Sequence, residues 1–433
     1  MLLGALTLWA CAEVGRRLFD ARVGFLAGVF YVFCPFTLFY DRLALADACL
    51  SALGALTLLF SIRMVAESRT SFAVGAGLAM ALGVYAKAPG ALLFAIPAAT
   101  GLILGSGWRP LRVVLLSYGV GLPPAAYALY RFFATPNTAR MTQLATENQG
   151  SPVGRLVANL VQGAGWLLDW WTLPLLALGL LGVAAAVVLR RRPGILLFAL
   201  AALPLLAFGS MLSRWLPRYL LAASVPFLVL ASWAFCRVLE RLAARLADPR
   251  LRVAFTVAAV LLVLLPAFRI DRDLLTEPSR AALPALEREQ YILGWTSGYG
   301  VRDTERIIRR ELAEHPAGLT VVVHVTRAQS LRATPLALGL AFAREPRVRL
   351  EDWDVTDPSA PPALREWATA GPTLLVVPRA DTAVPPPAPG DWSRLVVLIA
   401  RTTKPDGRPC DDVYRFCSGA ECDGAAPATA NPD

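Results

Sequence analysis

The sequence predicts a polytopic α-helical membrane protein with about ten spans, followed by a C-terminal soluble α/β domain. Three observations predict it. The 433 residues are 56% hydrophobic, with a mean hydropathy of +0.52, too apolar for a soluble chain of this length. Several runs of about 17–22 apolar residues match the length that crosses a hydrocarbon core. The apolar weight lies in residues 1–270, whereas 271–433 is charged, proline-rich and only locally apolar. That shift divides the chain into a membrane domain at 1–270, an α/β domain at 271–422 and an Ala/Pro-rich tail at 423–433, expected to be disordered.

The apolar runs place spans at about 2–18, 23–40, 48–64, 71–86, 90–106, 111–131, 166–189, 194–212, 218–236 and 252–269. The fourth and fifth are short and can form a broken pair around Lys87, which precedes Pro89 and Gly90. In the long loop 132–165, Val153, Leu156, Val157, Leu160 and Val161 fall on one helical face, predicting an interfacial helix. Trp166, Trp170 and Trp171 follow it and are expected to form an aromatic belt. At 236–247, Leu239, Leu242 and Leu246 make an apolar side, and Arg237, Arg241 and Arg245 recur every fourth residue, a stripe suited to anionic headgroups.

The net charge is +10, carried almost wholly by arginine, with Lys87 and Lys404 the two lysines. The arginines cluster at the ends of apolar runs, so membrane topology accounts for the excess and nucleic acid is not an expected partner. Alternate loops divide the basic residues 15 against 7. The richer set, which includes Arg16, Arg17, Arg190, Arg191 and Arg192, is placed in the cytoplasm. The 35–47 stretch, Lys87, Arg214, Arg218 and the C-terminal domain then lie outside it. Met1 also falls outside, against an apolar run without the basic segment of a signal peptide. An odd number of upstream helices would restore parity, so the chain is expected to start late; a natural start with the N-terminus outside is the other reading.

Beyond residue 270 a helix is predicted at 303–314, with strands at 319–325, 373–378 and 395–400 and helical stretches near 328–342 and 361–370. Four cysteines, Cys11, Cys34, Cys49 and Cys236, lie in or beside apolar runs and read as small hydrophobes. Cys410, Cys417 and Cys422 could form one disulfide in an oxidising exterior, with one thiol left over. Two histidines, His315 and His324, and the cysteine spacing make no zinc pattern. No cofactor is called for; a divalent metal is compatible with the chemistry considered below, but no residue pattern indicates one.

Charges at the edge of a bilayer are expensive and functional by default. The outer rim collects Asp41, Arg42, Asp47, Lys87, Arg214, Arg218 and Tyr219. Such a set suits a lipid phosphate, whose head sits at the interface and whose tail stays in lipid. Carboxylates beside it can deprotonate an acceptor hydroxyl or orient a sugar. Each residue also has a plainer role. Arg42 could pair with Asp41 or Asp47, Asp47 could cap a helix, and Lys87, Arg214 and Arg218 could anchor to headgroups. His324, inside a β-rich run, reads as structural, and Glu147 and Asp169 are weak candidates.

The segment RLFDARVGFLAGVFYVFCPFTLFYDRLALADACL, from Arg17 to Leu50, resembles the second-to-third-helix region of GT-C fold glycosyltransferases that use lipid-phosphate sugars. That group includes the protein O-mannosyltransferases and the aminoarabinose transferases of lipid A. GLAMALGVYAKAPGALLFAIP resembles their Gly-rich helix with its Lys-Pro/Gly break, PRYLLAASVPF their Arg-Tyr segment, and QYILGWTSGYG the entry to their external domain. The resemblance implies inverting transfer of a sugar from a polyprenyl-phosphate donor to a lipid, glycan or protein acceptor outside the cytoplasm of a bacterium. It implies that Asp47 shapes the pocket, with Asp41 in support, and that Lys87 with Arg214 or Arg218 binds phosphate. The family's catalytic aspartate lies in a first external loop with no counterpart in this sequence, so the chain is expected to start late or to be inactive as it stands. Two other classes are weighed. A transporter or flippase needs polar groups along a path through the bilayer, and a non-catalytic membrane assembly partner needs no cavity at all.

Overall fold

The computed structural model describes residues 2–43, 45–134, 151–212, 215–294, 298–325, 333–354, 366, 369, 371–379 and 396–416. The chain divides into two compact units, Met1–Ala282 and Leu283–Asp433.

The first unit is helical. It comprises α1 (Leu2–Leu18), α2 (Ala21–Val32), α3 (Pro35–Arg42), α4 (Ala46–Glu67), α5 (Thr70–Ala86), α6 (Ala95–Leu104), α7 (Trp108–Phe133), α8 (Pro152–Trp171), α9 (Leu173–Val188), α10 (Arg192–Met211), α11 (Ser224–Ala243) and α12 (Pro249–Thr276). Two 3-10 segments, Ala88–Phe94 and Pro217–Ala223, lead into α6 and α11. Helix therefore forms at every predicted apolar run, but not as ten straight spans. Among the described residues, five helices are long and apolar enough to cross a membrane, and up to seven if two bent pairs each count as one span. The protein is a multi-pass membrane protein.

The differences have local causes. The run 23–40 bends by 62° between α2 and α3. Pro35 opens α3, and a residue before proline is pushed out of the helical region; Cys34 is extended there. The run 166–189 breaks at Thr172, whose φ is 56°, and the pair bends by 119°. Residues 152–171 thus form one helix that joins the expected interfacial segment to the tryptophans. Val153, Val157 and Val161 point outward, as an interfacial face requires. The tryptophans do not form the expected belt. Trp166, Trp170 and Trp171 are buried, and Trp170 and Trp171 pack with Phe36 while Trp171 stacks on Phe227 at 4.0 Å between centroids. The reason is the helix register: Asn159, Gly163, Trp166 and Trp170 share the inward face.

The second unit carries a five-stranded sheet: β1 (Leu319–Val325), β2 (Val348–Asp354), β3 (Thr373–Pro378), β4 (Val396–Thr403) and β5 (Pro409–Phe416), in the order β2-β1-β3-β5-β4. β2, β1 and β3 run parallel, and β5 is antiparallel to both β3 and β4. After the short α13 (Ala285–Arg288), helices α14 (Val301–Glu314) and α15 (Ala333–Phe342) accompany the sheet; Ile308, Leu312 and Leu338 pack with Val321, Val323, Leu374 and Val376. Two strands escape the sequence reading. β2 is half charged, and β5 places Asp411 and Asp412 in the sheet interior. Arg379 and Arg401 neutralise Asp412, and the Thr304 hydroxyl donates to Asp411 at 2.7 Å, which makes burial of both acids tolerable. Cys410 is buried and its thiol donates to the Tyr299 carbonyl at 2.6 Å; Cys417 and Cys422 lie outside the described residues. Most of the expected 361–370 helix also lies outside them.

Candidate active site

Three chain segments bring Asp47, Lys87 and Arg218 together. Asp47 sits in the first turn of α4, where the helix dipole favours negative charge. It is not the cap, since Leu45 occupies that position. Its carboxylate is free to reach sideways, and it accepts a hydrogen bond from Lys87 Nζ at 2.7 Å. Arg218 Nε lies 3.8 Å from the other carboxylate oxygen.

Lys87 stands at a break built by its neighbours. Pro89 has no N–H to continue α5, so Lys87 adopts extended backbone with φ −165° and the chain restarts as a 3-10 segment. Gly90 closes that turn, donating its N–H to the Lys87 carbonyl at 2.8 Å. A Cβ on Gly90 would lie 2.2 Å from the Gly83 backbone, so glycine is required for this close return. Leu93 then wedges against Gly54 and Gly83. Arg218 is placed in the same manner: Pro217 opens its 3-10 segment, and Ser51 of α4 donates to the Leu221 carbonyl at 3.4 Å. Tyr219 completes the group, with Lys87 Nζ 4.9 Å from its ring centroid.

A slot opens beside this cluster. Asp47, Arg218 and Tyr219 form its polar end, and Leu58, Leu92, Ile96, Leu203 and Phe208 are among its apolar walls. It encloses about 50 Å³, widening to about 730 Å³ with its open mouth counted. Arg218 and Asp47 line the end of this hydrocarbon-walled groove, and Lys87 stands beside them, paired with Asp47.

The other predicted residues lie elsewhere. Asp41 accepts from the Tyr31 hydroxyl at 2.7 Å, and Arg42 donates to the Leu274 carbonyl at 3.1 Å, near the end of α12. Neither pairs with Asp47 among the described contacts. Arg214 and Glu147 lie outside the described residues, and Asp169 is exposed. His324 is buried beside Trp353 and shares a contact of 3.4 Å with its carbonyl, a packing role. The sequence reading did not find Tyr31 or Phe208; nothing in their local pattern separates them from other core aromatics.

Among the described residues, Glu311, Glu314 and His315 have ligand-type atoms close enough to share a metal. Arg415 occupies Glu311 with contacts of 2.6, 2.7 and 3.0 Å, so this group is an ion-paired surface of α14.

Residues 1–130 match the family of dolichyl-phosphate-mannose-protein mannosyltransferases. No curated protein sequence matches the chain. Among solved structures, ArnT from Cupriavidus metallidurans bound to undecaprenyl phosphate aligns over 98% of this chain and 84% of its own length, at 17% identity and a TM-score of 0.52. The same protein in the apo state gives the same coverage at a TM-score of 0.49. The Archaeoglobus fulgidus oligosaccharyltransferase aligns over 74% of this chain and 50% of its own, at 14% identity and a TM-score of 0.42. The fold is of the GT-C type.

Proposed function

We propose that this chain is a membrane glycosyltransferase that takes a sugar from a polyprenyl-phosphate donor, with Lys87 and Arg218 at the donor phosphate. The observation that carries the reading is the slot, with charge at one end and hydrocarbon along its walls. An isoprenoid chain suits such walls, and its phosphate suits the end that carries Arg218, with Lys87 beside it. The match of residues 1–130 to a family of lipid-phosphate-sugar transferases supports the same class.

The charge balance suits the reaction. A polyprenyl-phosphate sugar is a phosphodiester with one negative charge. When an acceptor hydroxyl attacks the anomeric carbon from the opposite face, the new glycosidic bond forms, the hydroxyl proton passes to the solvent outside, and the carbon–oxygen bond to phosphate breaks. The leaving monoester then carries close to two charges. Two cations beside one carboxylate favour the negative charge that develops there. Asp47 holds Lys87 and Arg218 in place, and Tyr219 covers the ammonium. Asp41 and Arg42 act outside this cluster, on Tyr31 and α12. The slot has polar lining at one end, whereas a transport path needs it throughout.

We place the cluster and the C-terminal unit on the outer side of a bacterial plasma membrane; the arginine distribution supports the side, and the family resemblance supports a bacterial membrane. The acceptor is a lipid, glycan or protein on that side.

The test uses the full chain in detergent with a fluorescent polyprenyl phosphate, so that binding is read apart from transfer. Lys87→Ala and Arg218→Ala are each expected to weaken binding by about ten-fold or more, the worth of a charge-assisted hydrogen bond. Unchanged binding in both variants overturns the assignment.

A further inference from the structure

A second apolar cleft lies at the far end of α11. The α12 helix packs through its second half, where Leu264, Ala267, Asp271 and Leu274 are its buried residues. Its first half stands away from α2 and leaves an open wedge of about 760 Å³. Phe25, Leu26 and Val29 of α2 face Val253, Val257 and Leu261 of α12 across it. These are large side chains left uncovered by protein: Phe25 is 72% exposed and Val253 65%.

The mouth of the wedge is charged. Arg22, Arg252 and Glu240 line it. Arg22 lies 3.9 Å from Glu240, a long and exposed pair that leaves the guanidinium available. Arg252 spends its Nε–H on the Leu246 carbonyl at 2.7 Å, one of its five donors. Two cations against one anion leave net positive charge above an apolar cleft. The Asp47 cluster is remote from it: Arg218 precedes α11, Glu240 lies near its other end, and a 20-residue helix is about 30 Å long.

We propose that this wedge is a binding site for one anionic glycerophospholipid of the bilayer, its acyl chains between α2 and α12 and its phosphate on Arg22 and Arg252. Any lipid can fill the apolar part; the arginines select the headgroup. One net basic residue at an anionic surface gives about a five-fold preference, which is about 1 kcal/mol.

The experiment places the full chain in phosphatidylcholine nanodiscs containing a small fraction of phosphatidylglycerol with a photoreactive acyl chain, or of the matching photoreactive phosphatidylcholine. Crosslinked peptides are identified by mass spectrometry. Adducts are expected within Ala21–Val29 and Arg252–Leu261, about five-fold more with phosphatidylglycerol. The R22Q/R252Q double variant is expected to remove that preference while phosphatidylcholine labelling persists, which also shows that the cleft is still formed. Glu240→Gln is expected to act in the opposite direction and raise the preference. Equal labelling by the two lipids in the wild-type chain overturns the proposal, as does a preference that survives R22Q/R252Q.

Discussion

At the scale of single residues, the cluster behaves as a mutual support of opposite charges. The Asp47 side chain is 7% exposed, against 26% for Lys87 and 20% for Arg218. Removing the carboxylate leaves two partly buried cations facing each other. Asp47→Asn is therefore expected to lower stability by about 1–3 kcal/mol, measured by thermal unfolding in detergent, and to weaken donor binding as Lys87 moves. A variant that unfolds like the wild type and binds polyprenyl phosphate equally well would show that Asp47 holds nothing. Asn159 makes a comparable case outside the cluster. It is buried in α8 and donates to the Gly209 and Leu212 carbonyls at 2.8 and 3.0 Å, groups that the end of α10 leaves unpaired. Asn159→Leu keeps the bulk and loses both bonds, for a cost of about 1–3 kcal/mol in the same unfolding measurement, with donor binding unchanged.

At the scale of elements, the breaks matter more than the helices. Gly90→Ala would drive a methyl into the Gly83 backbone and reopen the turn that presents Lys87. Its expected result is loss of donor binding with a moderate fall in melting temperature. Gly179→Ala meets the Phe227 ring at 1.9 Å, well inside contact distance, and is expected to destabilise α9 against α11 by about 1–3 kcal/mol from overpacking. The comparison separates a turn that positions a side chain proposed to bind phosphate from a close contact that only packs. The same contrast explains what the sequence disclosed. Apolar period and proline placement made the helices and the Lys87 break legible, because both act locally. The pairing of Lys87 with Asp47 and Arg218 was suggested by resemblance and by shared side, since nothing local joins residues so far apart. Asp41 and Arg42 looked like members of one rim, but α3 turns them toward Tyr31 and α12. The tryptophans of α8 looked interfacial because aromatic residues near a span usually are; tertiary packing drew them inward. β5 stayed hidden because its acids are poor strand formers until Arg379 and Arg401 sit beside them.

At the scale of the whole molecule, the proposed orientation sets which charges share a compartment. Arg191→Cys and Arg280→Cys, each introduced into a chain with its native cysteines replaced by serine, are expected to react with an impermeant maleimide from opposite sides of intact cells and inverted vesicles. Labelling of both from one side would refute the arginine-based topology. The clustering of Asp47, Lys87 and Arg218 also bears on how the chain is made. A membrane protein emerges from its N-terminus, and α4 and α5 must leave the translocon long before the segment with Arg218 exists. During that interval Asp47 and Lys87 have each other: one negative and one positive charge on consecutive hydrophobic hairpin arms, entering the bilayer as a neutral pair. A lone charge at the centre of a span resists insertion by about 2.5–3.5 kcal/mol; near a span's end, where Asp47 and Lys87 sit, the cost is smaller, and pairing lowers it further. The same salt bridge is therefore expected to ease insertion of α4 and α5, with Arg218 joining the pair only when its own segment is made.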